Sequence, residues 1–111
     1  MFLPSDIVLL PFPFSDLSST KRRPVLVISA PDERGDFLAA QLTSRGQYAG
    51  ALPISDTDLA IGTLPKTTWL RPEKVFTLNV SLIVLRAGRL TPATFKRVQA
   101  AICVSLGCAT R

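Results

Sequence analysis

Lys21-Arg22-Arg23-Pro24-Val25-Leu26-Val27-Ile28-Ser29 sets three cations directly before a proline and a β-branched, apolar run. A run of that kind, closed by Ser29, Pro31 and Asp32, reads as a buried strand. Pro24 has no amide hydrogen for a sheet ladder, and it pushes Arg23 towards extended geometry. Arg23 therefore stands where a polar loop enters a rigid strand. Its guanidinium is aimed from a fixed base, which suits an anion-binding site.

Outward from this strand, Ile7–Leu10 reads as a short strand punctuated by Pro11 and Pro13, and residues 15–23 as a polar loop. After a turn around Gly35, Phe37–Leu42 returns as a strand ending in Thr43-Ser44-Arg45-Gly46. Pairing it with Val25–Ile28 as a hairpin brings Thr43 close to Arg23. Ala51–Ile54 reads as a short strand, Leu59–Leu64 as weakly apolar around Gly62, and Thr67–Arg71 as an alternating segment closed by Pro72. Lys74–Leu78 reads as another short strand or a turn of helix, and Leu82–Leu85 as an apolar segment that Gly88 ends. One helix is clear: Thr91 caps it, Pro92 takes the first position, Phe95, Val98, Ile102 and Leu106 follow at helical spacing, and Gly107 stops it. Short strands followed by one helix predict a mainly β, α+β domain: a small SH3-like curled β-barrel with a C-terminal helix, one domain over 1–111.

Composition narrows the chemistry. With 47% hydrophobic and 19% charged residues the chain reads as globular, with apolar surface left for a partner or a second copy. No segment approaches the roughly 18–20 apolar residues of a membrane span. Prolines and Asp6 interrupt the apolar N-terminus, so a cytoplasmic location is expected. A net charge of +5 points to acidic partners, nucleic acid first, against the ordinary alternative of a solvated basic face. Histidine is absent, which removes the commonest general base and metal ligand, so neither a metal nor a cofactor is expected. Cys103 and Cys108 form no disulfide framework, and Cys103 reads as a buried free thiol. No phosphate-binding glycine loop, zinc-protease helix or nucleophile elbow occurs.

What remains are two polar strand ends, Arg23 and Thr43-Ser44-Arg45. An arginine fork beside hydroxyls suits a phosphodiester. RNA supplies its own 2′-hydroxyl nucleophile, so a protein need only hold the geometry, stabilise the added charge and help protons move. Spacing alone favours the duller reading, a surface arginine and a turn-capping Thr-Ser pair.

Resemblance shifts that balance. Asp6-Ile7-Val8, Pro11-Phe12-Pro13-Phe14-Ser15-Asp16-Leu17 and Lys21-Arg22-Arg23-Pro24-Val25-Leu26-Val27-Ile28 resemble the start of the MazF/PemK family of toxin–antitoxin toxins. Leu42-Thr43-Ser44, Gly62-Thr63-Leu64-Pro65, Trp69-Leu70-Arg71-Pro72 and Gly88-Arg89-Leu90 extend the likeness over nearly the whole chain. Ser5 departs from it, standing where the family usually has glycine. The resemblance implies a sequence-specific, metal-independent endoribonuclease that cuts single-stranded RNA, usually mRNA, to 2′,3′-cyclic phosphate and 5′-hydroxyl ends. It implies Arg23 and Thr43 as the catalytic pair, a homodimer, and an acidic antitoxin that covers the RNA groove. Lys21, Arg22, Ser44 and Arg45 are expected along the phosphate track. Asp16 is a candidate acidic residue by its place in the loop, where turn-capping is the ordinary role. Trp69 can stack on a base, although a single tryptophan in a strand more often serves core or interface.

Two other functions compete. CcdB-like toxins use the same small barrel to poison DNA gyrase, but resemble one another in a tryptophan-containing C-terminal tail, whereas this chain ends Leu106-Gly107-Cys108-Ala109-Thr110-Arg111. A non-catalytic nucleic-acid-binding barrel is the other, and the joint presence of Arg23 and Thr43 counts against it.

Overall fold

The computed structural model describes residues 1–11 and 22–108. Its strands are β1 (Asp6–Pro11), β2 (Arg22–Val27), β3 (Asp36–Thr43), β4 (Leu52–Ile54), β5 (Leu59–Ile61), β6 (Thr68–Asn79) and β7 (Leu85–Leu90), followed by helix α1 (Pro92–Leu106). They form one antiparallel sheet in the order β4-β6-β3-β2-β1-β7-β5. Its two outermost strands, β4 and β5, are separated in sequence only by residues 55–58. Four residues cannot span a flat sheet of seven strands, so the sheet curls until its edges meet. The result is the expected curled half-barrel with a C-terminal helix.

Alternation along the central strands buries both faces. Ile7, Leu26, Ala40 and Leu42 pack with Ile54, Leu70, Leu90 and the helix residues Val98 and Ile102. Val8, Leu10, Val25, Val27, Phe37, Ala39 and Leu78 form a second core, backed by Phe2, Val80 and Ile83. The helix begins as read. Thr91 accepts the Thr94 N–H at 3.2 Å, and Gly107 ends the helix in the left-handed region at φ 78°. Leu106, expected on the core stripe, is instead exposed, because the buried face stops at Ile102.

Other boundaries differ from expectation. Pro72 does not close a strand: β6 runs on to Asn79. Its register on β3 jumps from Gln41↔Arg71 to Ala40↔Val75, so Pro72, Glu73 and Lys74 form a bulge, where proline costs no ladder bond. Gly88 does not end a segment but lies inside β7, where a Cβ would come within 2.6 Å of the Ile61 carbonyl oxygen. Leu82 belongs to a 3-10 turn, Val80–Leu82. Cys103 is half-buried and disulfide-bonded to Cys108 rather than a buried free thiol.

Two polar devices hold the curl. Asp6 is fully buried, and its carboxylate accepts from Arg89 Nε at 2.7 Å and Leu3 N–H at 2.9 Å, tying β1 to β7. Just before it, Ser5 has φ 82°, the one positive value outside glycine among the described residues. Asp58, between the edge strands, accepts from Ser55 N–H (2.9 Å), Thr94 Oγ1 (2.9 Å) and Arg97 Nη2 (3.0 Å). The Ser55 backbone N–H is the strongest influence on Asp58. Together with Thr94, the Ser55 hydroxyl and Arg97 it outweighs burial and holds the carboxyl below the usual carboxylate range.

Asp58→Ala strips the buried Thr94 hydroxyl of its acceptor and should destabilise the protein by roughly 2 kcal/mol. Because the native carboxyl sits below its unfolded value, this contribution is complete above about pH 4 and drains as pH falls through the native value. Urea melts should therefore show a gap between wild type and variant that is constant from pH 5 to 8 and narrows in acid. Ser5→Gly relieves a left-handed residue at some entropic cost, and should raise stability by roughly 0.5–1 kcal/mol in the same assay.

Candidate active site

β2 and β3 pair only over Val25–Val27 and Ala39–Gln41. The ladder stops where Pro24 has no N–H to give. Beyond it, β2 continues against β1 alone, with Leu10↔Arg23 and Pro11↔Arg22, while β3 continues against β6, with Thr43↔Trp69. Two residues on from the Val25↔Gln41 pair, Arg23 comes level with Thr43. The unpaired ends border an open cavity of about 830 Å³. Its wall includes Arg22 and Arg23 from β2, Thr43 from the end of β3 with Ser44 and Arg45 just after it, and apolar Leu9, Pro24 and Leu42.

The cavity wall is one-signed. Arg22, Arg23, Arg45, Lys66, Arg71 and Lys74 line it, and no aspartate or glutamate does so among the described residues. Arg71 alone of these six has a carboxylate partner among the described residues. Its Nη2 and Nε lie 2.7 and 2.9 Å from Glu73 Oε2, and its guanidinium carbon sits 3.5 Å from the Tyr48 ring centre. Burial pushes the Glu73 carboxyl up, but its own backbone N–H, Arg71 and the charge of Lys74 together outweigh this and hold it below the usual range. Arg71 is thus a braced, charge-compensated part of the wall, Lys74 shares the field of Glu73, and Arg22, Arg23, Arg45 and Lys66 are available to an anion.

Thr43 is held for donation. Its Oγ1 accepts the Arg45 N–H at 3.1 Å, a local turn bond that fixes the side chain and leaves the hydroxyl proton for an acceptor in the cavity. Ser44 is exposed at the same lip.

Of the residues singled out from sequence, Arg22, Arg23, Thr43, Ser44 and Arg45 are brought together. Trp69 is not part of the wall. It lies half-buried beside Thr43 in register, with its ring over Gly46. Lys21 and Asp16 lie outside the described residues. Sequence reasoning missed Tyr48, Lys66, Arg71 and Lys74. The one signal towards Lys74 is charge distribution: after Glu73 the sequence has no acidic residue, while Lys74, Arg86, Arg89, Lys96, Arg97 and Arg111 follow.

A Cβ on Gly46 would fall 2.6 Å from Trp69 Cε2 and Cζ2. Gly46→Ala should therefore displace the ring, cost roughly 1–3 kcal/mol and shift the emission of the chain's single tryptophan to the red. Fluorescence-detected urea unfolding reads both effects.

Comparison with curated protein sequences gives no match. Among solved structures, an endoribonuclease in complex with its cognate antitoxin from a mycobacterial species superposes with a TM-score of 0.77 at 21% identity, over 100% of both chains. MazE–MazF from Deinococcus radiodurans gives 0.74 at 18% identity over 97% of each chain. Mycobacterium tuberculosis toxin MazF-mt6 gives 0.73 at 17% identity, over 95% of this chain and 99% of its own. At these identities the likeness is one of fold. The sequence itself matches, over residues 4–106, the PemK-like, MazF-like toxins of type II toxin–antitoxin systems, and the chain belongs to that family.

Proposed function

We propose that this toxin is a metal-independent endoribonuclease, acting as one domain over residues 1–111, and that the cavity between the ends of β2 and β3 is its active site. The observation that carries the reading is the cavity wall: Arg22, Arg23, Arg45 and Lys66 with no carboxylate partner among the described residues, Lys74 beside them, and an oriented hydroxyl around one opening, without an acidic side chain lining it among the described residues. Such a surface takes a phosphate chain and repels carboxylates.

Arg23 and Thr43 grip the scissile phosphate from opposite strands. The 2′-hydroxyl of the preceding ribose attacks phosphorus and the 5′-oxygen leaves, giving a 2′,3′-cyclic phosphate and a 5′-hydroxyl. Charge accumulates on the equatorial oxygens during attack, and Arg23 stabilises it from a rigid strand while Thr43 donates a hydrogen bond. Arg22, Ser44 and Arg45 track neighbouring phosphates, and Lys66 and Lys74 extend the track across the β6 side. Only single-stranded RNA reaches an in-line geometry, since a duplex holds its 2′-hydroxyls away from the adjacent phosphorus. The same basic opening suits an acidic antitoxin segment, and the exposed Leu82, Val84 and Leu85 supply apolar surface for a homodimer.

The test is cleavage of a long unstructured RNA in EDTA. Wild type should give discrete cuts with cyclic-phosphate ends, and Arg23→Ala and Thr43→Ala should each lose about 10²–10³ in rate while melting like wild type. Equal cutting by the variants would remove the site from this cavity, and binding without cutting would make the protein a nucleic-acid-binding barrel. For a non-cleavable single-stranded DNA, Arg22→Ala should flatten the plot of log affinity against log salt by about 0.7.

A further inference from the structure

The last helical turn ends in a Schellman motif. Cys108 N–H donates to the Cys103 carbonyl at 2.9 Å, Gly107 N–H donates to Val104 O at 3.0 Å, and Gly107 supplies the left-handed residue. In this motif the residues three before and two after the helix end face each other, and a hydrophobic contact usually joins them. Here both positions are cysteine, with Cα atoms 5.1 Å apart, inside the range of roughly 4.4–6.8 Å that a disulfide spans. The backbone hydrogen bonds of the motif thus bring the two Cα atoms within disulfide range from the helix end itself. Cys108 is exposed, Cys103 is half-buried one turn back, and the two form a disulfide.

We propose that Cys103 and Cys108 are a reversible thiol-modification site, a dithiol that exchanges with small-molecule disulfides of the glutathione class. The Cys108 thiolate attacks the small disulfide, forming a mixed disulfide and expelling one thiolate. The Cys103 thiolate then attacks the Cys108 sulfur, closing the protein disulfide and expelling the second. Two protein thiols are oxidised, one small disulfide is reduced to two thiols, and the reverse path needs only excess thiol. Exposure makes Cys108 the entering position, and the helix holds Cys103 in place as the resolving thiol. The cross-link closes a short loop around the end of α1, so reduction leaves the last turn to its hydrogen bonds and frees Val104 and Leu106, both already exposed, to fray.

The experiment equilibrates the full chain in mixtures of reduced and oxidised glutathione, alkylates free thiols and weighs the product. Wild type should pass in one step from two alkyl groups to none, without a lasting glutathione adduct. Cys103→Ser should instead hold a stable adduct on Cys108, because its resolving thiol is gone. Amides of residues 104–108 should exchange roughly tenfold faster in the reduced protein, and equally fast in Cys103→Ser and Cys108→Ser. Two alkylated thiols under oxidised glutathione, persistent adducts on wild type, or equal exchange in both redox states would each overturn the proposal.

Discussion

The register of β2 on β3 is the constraint on which the cavity depends. Three paired residues on each strand, Val25–Val27 against Ala39–Gln41, fix how far the polar ends project beyond the ladder. A slip of one residue would turn Val25, Leu26 and Val27 to the wrong cores and carry Arg23 off the level of Thr43. Packing on both faces makes that slip expensive, since forcing side chains of the wrong shape into a filled core costs roughly 1–3 kcal/mol each. Pro24 then decides where pairing stops. Core packing therefore sets the position of the polar groups, and a missing N–H opens the space between them.

Around that centre, the far wall is built by irregularity. The β6 bulge at Pro72–Lys74 brings Lys74 to the cavity and lets Arg71 reach Glu73 two residues away. On the opposite side, Gly88 lets β7 pass close beneath the β5 carbonyl at Ile61, and Asp6 pins β1 to β7 through Arg89. The sheet can curl because these crossings are tight. Asp58 locks the curl to the start of α1, whose buried face backs the Leu42–Leu70 side of the core.

How much of this was legible in the sequence depended on distance along the chain. The β2–β3 hairpin joins two mainly apolar runs, broken only by Gln41, through one local connection with Gly35 in its turn, so the approach of Arg23 to Thr43 could be read directly. Thr91, Pro92 and Gly107 marked α1 because capping chemistry is local. Tyr48, Lys66, Arg71 and Lys74 were not legible, because their place comes from β6 crossing back onto β3 some thirty residues later, with a proline bulge that imitates a strand end. The cysteine pair was missed for a related reason. Helical periodicity relates Cys103 to Ile102 and says nothing across the left-handed turn that returns Cys108 to it.

The one-signed wall also bears on the empty protein. Arg22, Arg23, Arg45, Lys66 and Lys74 line one opening, and like charges brought inside the ~8 Å screening length of physiological salt repel one another. The unoccupied fold therefore carries a standing self-repulsion, heaviest in dilute buffer. Whatever polyanion fills the opening removes that load, and its binding stabilises the folded chain in return. Folding and occupancy are linked here through a single electrostatic reservoir.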